Sequence, residues 1–202
     1  MNLRTELPTA ENSSNFNAVA NAATKAGTTL ENLKAAVAGE TGASAKYAAF
    51  AKAAKEQGFD QLARLWEATS AAEQIHINLE ASLVEAEDPS YTRPTAEAPT
   101  PEAIDLNLIA SANGEIHETS DMYPTFIKKA QEEGHIKAVK VFTRAKLAEA
   151  VHAEKYLEAY NNIDAADDDA YYLCPGCGYI HKGDDFEKCP ICGVPKAKFQ
   201  RF

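Results

Sequence analysis

Apolar residues recur at helical spacing through four long stretches of this chain, and the first three stretches stop at glycine or proline. From Thr28 to Gln57 the sequence is dense in Ala, Lys and Glu, all good helix formers, until Gly58 punctuates it. A second stretch runs from about Asp60 to Glu87 and is broken by the proline-rich segment PSYTRPTAEAPTP. A third runs from about Pro101 to Gln131, with Pro124 expected to bend it, and Gly134 opens the turn to a fourth that ends near Asn162. Residues 1–27 are polar and carry no sustained period, which predicts an N-terminal arm. Residues 28–163 are expected to form the helical domain, the acidic run DAADDDA at 164–170 a linker, and 171–202 a small separate module.

The proline-rich connection selects the topology. A helix of about 28 residues is about 42 Å long at about 1.5 Å per residue, and an extended connection of about 13 residues reaches about 43 Å. It can just cross the bundle end to end, which predicts two antiparallel hairpins joined by a crossover, the ferritin-like arrangement of a four-helix bundle. The fold class expected is therefore mainly α, with a small C-terminal β module.

The two hairpins repeat each other with an offset of 76 residues: Tyr47 matches Tyr123, Phe50 Phe126, Gly58 Gly134, Trp66 Phe142, Glu73 Glu149 and His76 His152. Packing explains the aromatic and glycine matches but not a repeated Glu-x-x-His. A carboxylate-bridged metal pair in a bundle takes one Glu from each of two helices and a Glu-x-x-His from each of the other two. The chain offers Glu40, then Glu73 with His76, then Glu115 and Glu118, then Glu149 with His152. Residues three apart lie on one helical face. Glu40 and Glu73 stand 18 and 15 residues from Gly58, and Glu118 and Glu149 stand 16 and 15 from Gly134, so these four sit at similar heights. Carboxylates can bridge two irons and imidazole supplies a neutral ligand. Tyr47 and Tyr123 lie about two turns along from Glu40 and Glu115, placing them in the core or behind the ligands. His117 and His135 read as surface residues.

Composition narrows the setting. The formal charge of −10 and a pI near 5 leave no basic stripe for a phosphate backbone, so nucleic acid is not an expected partner. No signal peptide or run of 18 apolar residues is apparent, and no membrane association is expected. Cys174, Cys177, Cys189 and Cys192 form two C-x-x-C-G knuckles within the last 30 residues, the spacing of a four-thiolate metal site rather than of disulfides. That favours a reducing, cytoplasmic setting. Spacing alone ranks zinc ahead of iron, and a neighbouring redox bundle reverses the order.

With these segments in hand, the chain resembles the rubrerythrin family, and within it the nigerythrin branch, over nearly its whole length. The resemblance is carried by ENLKAAVAGETGA with Glu40, AAEQIH with Glu73 and His76, NLIASANGEIHETSDMYP with Glu115 and Glu118, AKLAEAVHAEKY with Glu149 and His152, and CPGCGYIHKGDDFEKCPICG. It implies three irons per chain: a non-sulfur di-iron centre on the seven bundle residues and a rubredoxin-like iron on the four cysteines. It implies a peroxidase that reduces hydrogen peroxide to water in oxidative-stress defence, drawing electrons from rubredoxin or an NAD(P)H-dependent reductase. His76 and Glu118 are the implied catalytic ligands, alternating on one iron between its reduced and oxidised states. The fourth helix continues past His152 by about 15 Å, so the module is expected to leave the end of its own bundle and serve a partner in a head-to-tail homodimer. The competing readings are an iron-oxidising storage protein and a non-catalytic bundle with a structural zinc ribbon.

Overall fold

The computed structural model describes residues 24–163 and 168–202; most of the N-terminal arm, residues 1–23, and the linker residues 164–167 lie outside the described residues. Five α-helices and a three-stranded sheet make up the rest: α1 Thr29–Glu56, α2 Asp60–Glu87, α3 Ile104–His117, α4 Tyr123–Glu132, α5 Ile136–Asn161, β1 Tyr171–Leu173, β2 Ile180–Lys182 and β3 Gln200–Arg201. Helix α1 starts at a reciprocal cap, in which the Glu31 amide donates to Thr28 Oγ1 at 3.2 Å and the Thr28 amide to Glu31 Oε2 at 2.7 Å. Gly58 and Gly134 close the two hairpin turns with φ of 82° and 70°, the left-handed region that favours glycine. His135, in the second turn, caps α5 by accepting the Ala138 amide on Nδ1 at 3.1 Å.

The crossover runs the full length of the bundle. Asp88, just past α2, pairs with Lys34 near the start of α1, whereas Ile104, at the start of α3, packs in the cluster that holds Ala54 and Leu62 at the far turn. Asn107 fixes the lead-in to α3 by bonding both the amide and the carbonyl of Glu102, at 3.0 and 2.9 Å. The third bundle element, expected as one bent helix, is instead α3, a π-helical turn over Glu118–Met122, and α4. Pro124 supplies the reason, since its ring has no N–H to give and crowds the carbonyl four residues earlier. A wider π turn absorbs that misfit.

Two apolar clusters sandwich a polar layer. One surrounds Trp66, Tyr47 and Tyr156 toward the α1–α2 turn, and the other surrounds Tyr123, Phe126 and Phe142 toward the α4–α5 turn. Trp66 is fully buried, donates from Nε1 to Ser111 Oγ at 2.9 Å and meets Phe50 edge to face at 5.7 Å between centroids.

The sheet, in order β2-β1-β3 and antiparallel throughout, does not leave the end of the bundle as expected. Gln61 Nε2 donates to the carbonyl of Asp169 at 2.9 Å, and Tyr171, Leu173 and Ile180 join the apolar cluster of the bundle. The chain thus turns back after α5 and lays the module along α2 and α5. Burial of three large side chains there outweighs the reach argument, which considered only the axis of α5. Among the described residues no helix is long and apolar enough to cross a membrane.

Trp66→Ala should cost about 3–5 kcal/mol of unfolding free energy, whereas Trp66→Phe should cost less because the ring contacts survive. Urea melts of the metal-loaded protein check both; equal losses would mean that the indole hydrogen bond, not volume, dominates.

Candidate metal centre

Helical periodicity brings the polar layer together. Glu73 and His76 project from one turn of α2, Glu149 and His152 from one turn of α5, and Glu40 and Glu115 enter from α1 and α3; all six are buried. Two groups form, Glu40 with Glu73, His76 and Glu149, and Glu73 with Glu115, Glu149 and His152, each offering ligand atoms within 4.8 Å of one another. Glu73 and Glu149 belong to both groups, which is the arrangement of two bridging carboxylates. Glu149 holds the centre: its Oε1 lies 2.7 Å from His76 Nδ1 and its Oε2 2.7 Å from His152 Nδ1. Glu118, on the π turn, falls outside both groups.

The tyrosines orient the outer carboxylates. Tyr47 OH donates to Glu115 Oε1 and Tyr123 OH to Glu40 Oε1. The other oxygens, Glu115 Oε2 and Glu40 Oε2, are buried without a hydrogen-bond partner, as is Glu73 Oε1. Buried polar atoms without partners are rare and costly. Here they are the atoms that converge, so the donor set fits two metal cations that would satisfy them.

Electrostatics point the same way. Burial, then the charges of Glu118 and Glu73, hold the Glu40 carboxyl well above its ordinary acidity range, and burial, then Glu149, pushes Glu115 up to about 8. Burial also raises Glu118, which keeps part of its surface accessible, with Glu115 the next cause. Burial opposes charge on Glu149 too, but His76 and His152 overcome it and hold that carboxyl low. Both imidazoles are held protonated to well above the usual range, since burial acts against their charge and Glu149 outweighs it. Bound cations replace those protons.

The far nitrogens of both rings touch the cysteine module. His76 Nε2 lies 3.0 Å from the carbonyl of Cys177 and His152 Nε2 2.9 Å from that of Gly178. A carbonyl only accepts, so each Nε2 carries the proton and each Nδ1 faces the pocket. The fit leaves no room at Gly178: its φ is +78°, and a Cβ there would stand 2.4 Å from His76 Nε2. The four thiols lie within 4.8 Å of one another, with Cys174 and Cys192 Sγ 3.4 Å apart and Cys177 and Cys189 Sγ 3.5 Å apart. Metal–sulfur bonds of about 2.3 Å give tetrahedral edges of about 3.8 Å, so one ion fits with little movement. Shared hydrogen bonds, first with Cys177, lower the Cys174 thiol to about 5.

Sequence reasoning missed two features. Glu80 is fully buried beside the site, with its Oε1 2.9 Å from the Tyr123 hydroxyl; its position four residues past His76, on the same helical face, was the available signal. The carbonyl partners of the histidines had no signal, because any residue type carries that group.

A four-helix bundle that gathers carboxylates and two imidazoles around places for a di-iron pair, with a four-cysteine iron site docked against it, defines a class of non-haem iron protein. The family model "Rubrerythrin" matches residues 31–160 and that of the "Rubrerythrin, rubredoxin-like domain" residues 172–200. The chain belongs to the rubrerythrin family. It is 66% identical over 202 residues to nigerythrin of Nitratidesulfovibrio vulgaris strain Hildenborough, covering 100% of both chains, and 34% identical over 184 residues to rubrerythrin of the same organism, covering 87% of this chain and 95% of that one. The solved structures of a partially reduced and a fully reduced, all-ferrous state of nigerythrin align with TM-scores of 0.89 and 0.90, at 66% identity and 100% coverage of both chains.

Removing the metals should make stability fall as pH rises. Glu80 and Glu115, both near 8 in the fold against 4.5 ordinarily, bind more protons folded than unfolded between those values, so stability drops across that window. His76 and His152, also raised, add stability that is complete below about 6.5 and lost as pH climbs through their folded values; Glu149 works the other way below 4.5, and the Cys174 thiol, lowered to about 5, works the other way above that, one group against these four. Thermal melts in chelator should show this decline and those of the metal-loaded protein should not. A metal-free protein that gained stability from pH 5 to 8 would contradict the account.

Proposed function

We propose that this protein is a peroxidase that reduces hydrogen peroxide to water, with Glu40, Glu73, His76, Glu115, Glu118, Glu149 and His152 as the bundle ligands and Cys174, Cys177, Cys189 and Cys192 holding the iron that returns electrons. The supporting observation is the pair of direct contacts between ligand histidines and cysteine-module carbonyls, which a storage protein has no use for. When bound, the iron pair supplies the two electrons that, with two protons, convert one peroxide into two waters. The chain does the rest. Glu73 and Glu149 would hold two cations between them, and Tyr47 and Tyr123 keep Glu115 and Glu40 each with one oxygen toward the pocket. His76 and Glu118 would serve as alternative ligands at one position: His76 Nδ1 faces it here, and Glu118 sits on the adjacent π turn, the part of the bundle least constrained by regular hydrogen bonding. Apolar layers above and below exclude bulk water.

Electrons return along a short path, from the Cys177 sulfur through its own backbone to the carbonyl, then across one hydrogen bond to His76. The upstream donor is rubredoxin or an NAD(P)H-dependent reductase, acting in a reducing cytoplasm where four free thiols persist. A head-to-tail homodimer makes the same carbonyl contacts between chains instead of within one, since exchange of an identical module leaves every contact intact.

Cys177→Ser should abolish steady, donor-driven peroxide turnover yet leave a single oxidation of the chemically pre-reduced bundle. Steady turnover in that variant would make the module structural. Mixing Glu149→Ala, which lacks bundle metal, with Cys177→Ser under conditions of subunit exchange should restore donor-driven turnover, because a mixed dimer pairs an intact module with an intact bundle on opposite chains. No recovery despite proven exchange would assign the path to one chain.

A further inference from the structure

The duplicated site is not duplicated throughout. One turn beyond His76 and His152 the repeat places Glu80 opposite Tyr156, and both are fully buried. Tyr156 packs its ring on Tyr47 at 5.6 Å between centroids, as an ordinary core aromatic. Glu80 instead shares Tyr123 with a ligand: the one hydroxyl of Tyr123 contacts Glu40 Oε1 and, at 2.9 Å, Glu80 Oε1. A phenol has a single proton, so two carboxylates meeting at it are coupled, and what one takes from the hydroxyl the other loses. Glu80 Oε2 has no hydrogen-bond partner, so packing does not account for an acid where an apolar side chain would fill the same space. Nor does Glu80 join either converging group of ligand atoms.

We propose that Glu80 is a positioning residue that acts through Tyr123 on Glu40, and that it makes the metal position of Glu40 and His76 unequal to that of Glu115 and His152. Glu40 serves only the first of these positions, and its Oε2 is the oxygen left for the metal. Fixing its other oxygen through a two-carboxylate link sets the direction and donor strength of Oε2. Glu115 has a tyrosine of its own, Tyr47, but no second carboxylate behind it. The inference rests on the ligand assignment proposed above and not on the peroxide chemistry.

The test is cobalt(II) titration of the metal-stripped full chain, followed by its visible absorption, with the cysteine site counted separately by its thiolate bands. The unmodified protein should bind two bundle cobalt ions in two unequal steps. Glu80→Leu should weaken one step by about 10–100-fold, the usual cost of losing a partner of a ligand, and leave the other step and the cysteine site unchanged. Glu80→Gln, which keeps an oxygen for Tyr123, should stay within a few-fold of the unmodified protein. Tyr123→Phe should weaken the same step, and combining it with Glu80→Leu should add nothing, because both cut one link. Additive losses, equal weakening of both steps, or two identical steps in the unmodified protein would each overturn the proposal. If the unmodified bundle bound no cobalt, the ligand assignment would fail, and this inference with it.

Discussion

The structure is organised around one costly fact, a layer of carboxylates and imidazoles buried in the middle of a helical bundle. Desolvating so many charges costs far more than any single hydrogen bond returns, and only opposite charge at close range offsets it. The chain supplies part of that charge from His76 and His152 and leaves the remainder to cations. Everything near the layer follows from keeping those groups fixed and dry. Aromatic clusters close it from both sides, tyrosine hydroxyls occupy the carboxylate oxygens that do not face the pocket, and the cysteine module covers the backs of the two rings.

That last arrangement couples the cysteine module to ligands 101 and 26 residues away in the sequence, His76 and His152. Because each histidine offers one nitrogen to the pocket and the other to a backbone carbonyl, the orientation of the ring depends on both domains at once. Gly178 shows how close the approach is, since a single added carbon would overlap the His76 ring. A change in charge or position at the bundle centre is therefore felt at the backbone of a cysteine ligand, and the reverse holds too. The proposed electron path would use the same contact, with one non-covalent step in it.

Much of this was legible in the sequence for identifiable reasons. Helical spacing, turn glycines and a linker of sufficient length fixed the hairpins and their crossover. The repeat of Glu-x-x-His at constant offset exposed the centre, because packing has no need of it. Glu80 escaped since a lone glutamate on a helix usually faces water, and only tertiary structure shows the α4 tyrosine that meets it. The docking of the module escaped for a different reason. It depends on Tyr171, Leu173 and Ile180 finding an apolar surface on α2 and α5, and on backbone groups that no residue type advertises.

The spacing of ligand and tyrosine also carries information that the structure explains. Glu40 precedes Tyr47 by seven residues, whereas Glu115 precedes Tyr123 by eight, yet the two tyrosines do equivalent work on opposite halves of the site. The π turn over Glu118–Met122 falls between Glu115 and Tyr123 and takes up the extra residue, as a wider turn must. The corresponding stretch of α1 is unbroken α-helix, with Gly42 at the position that matches Glu118. So Glu118, a carboxylate that the first hairpin does not repeat, rides on the one segment whose geometry departs from the repeat. Pro124 keeps that departure in place, since regular helix cannot close over it. A duplicated scaffold supplies two similar metal positions, and the second hairpin then breaks their equivalence at the inserted turn.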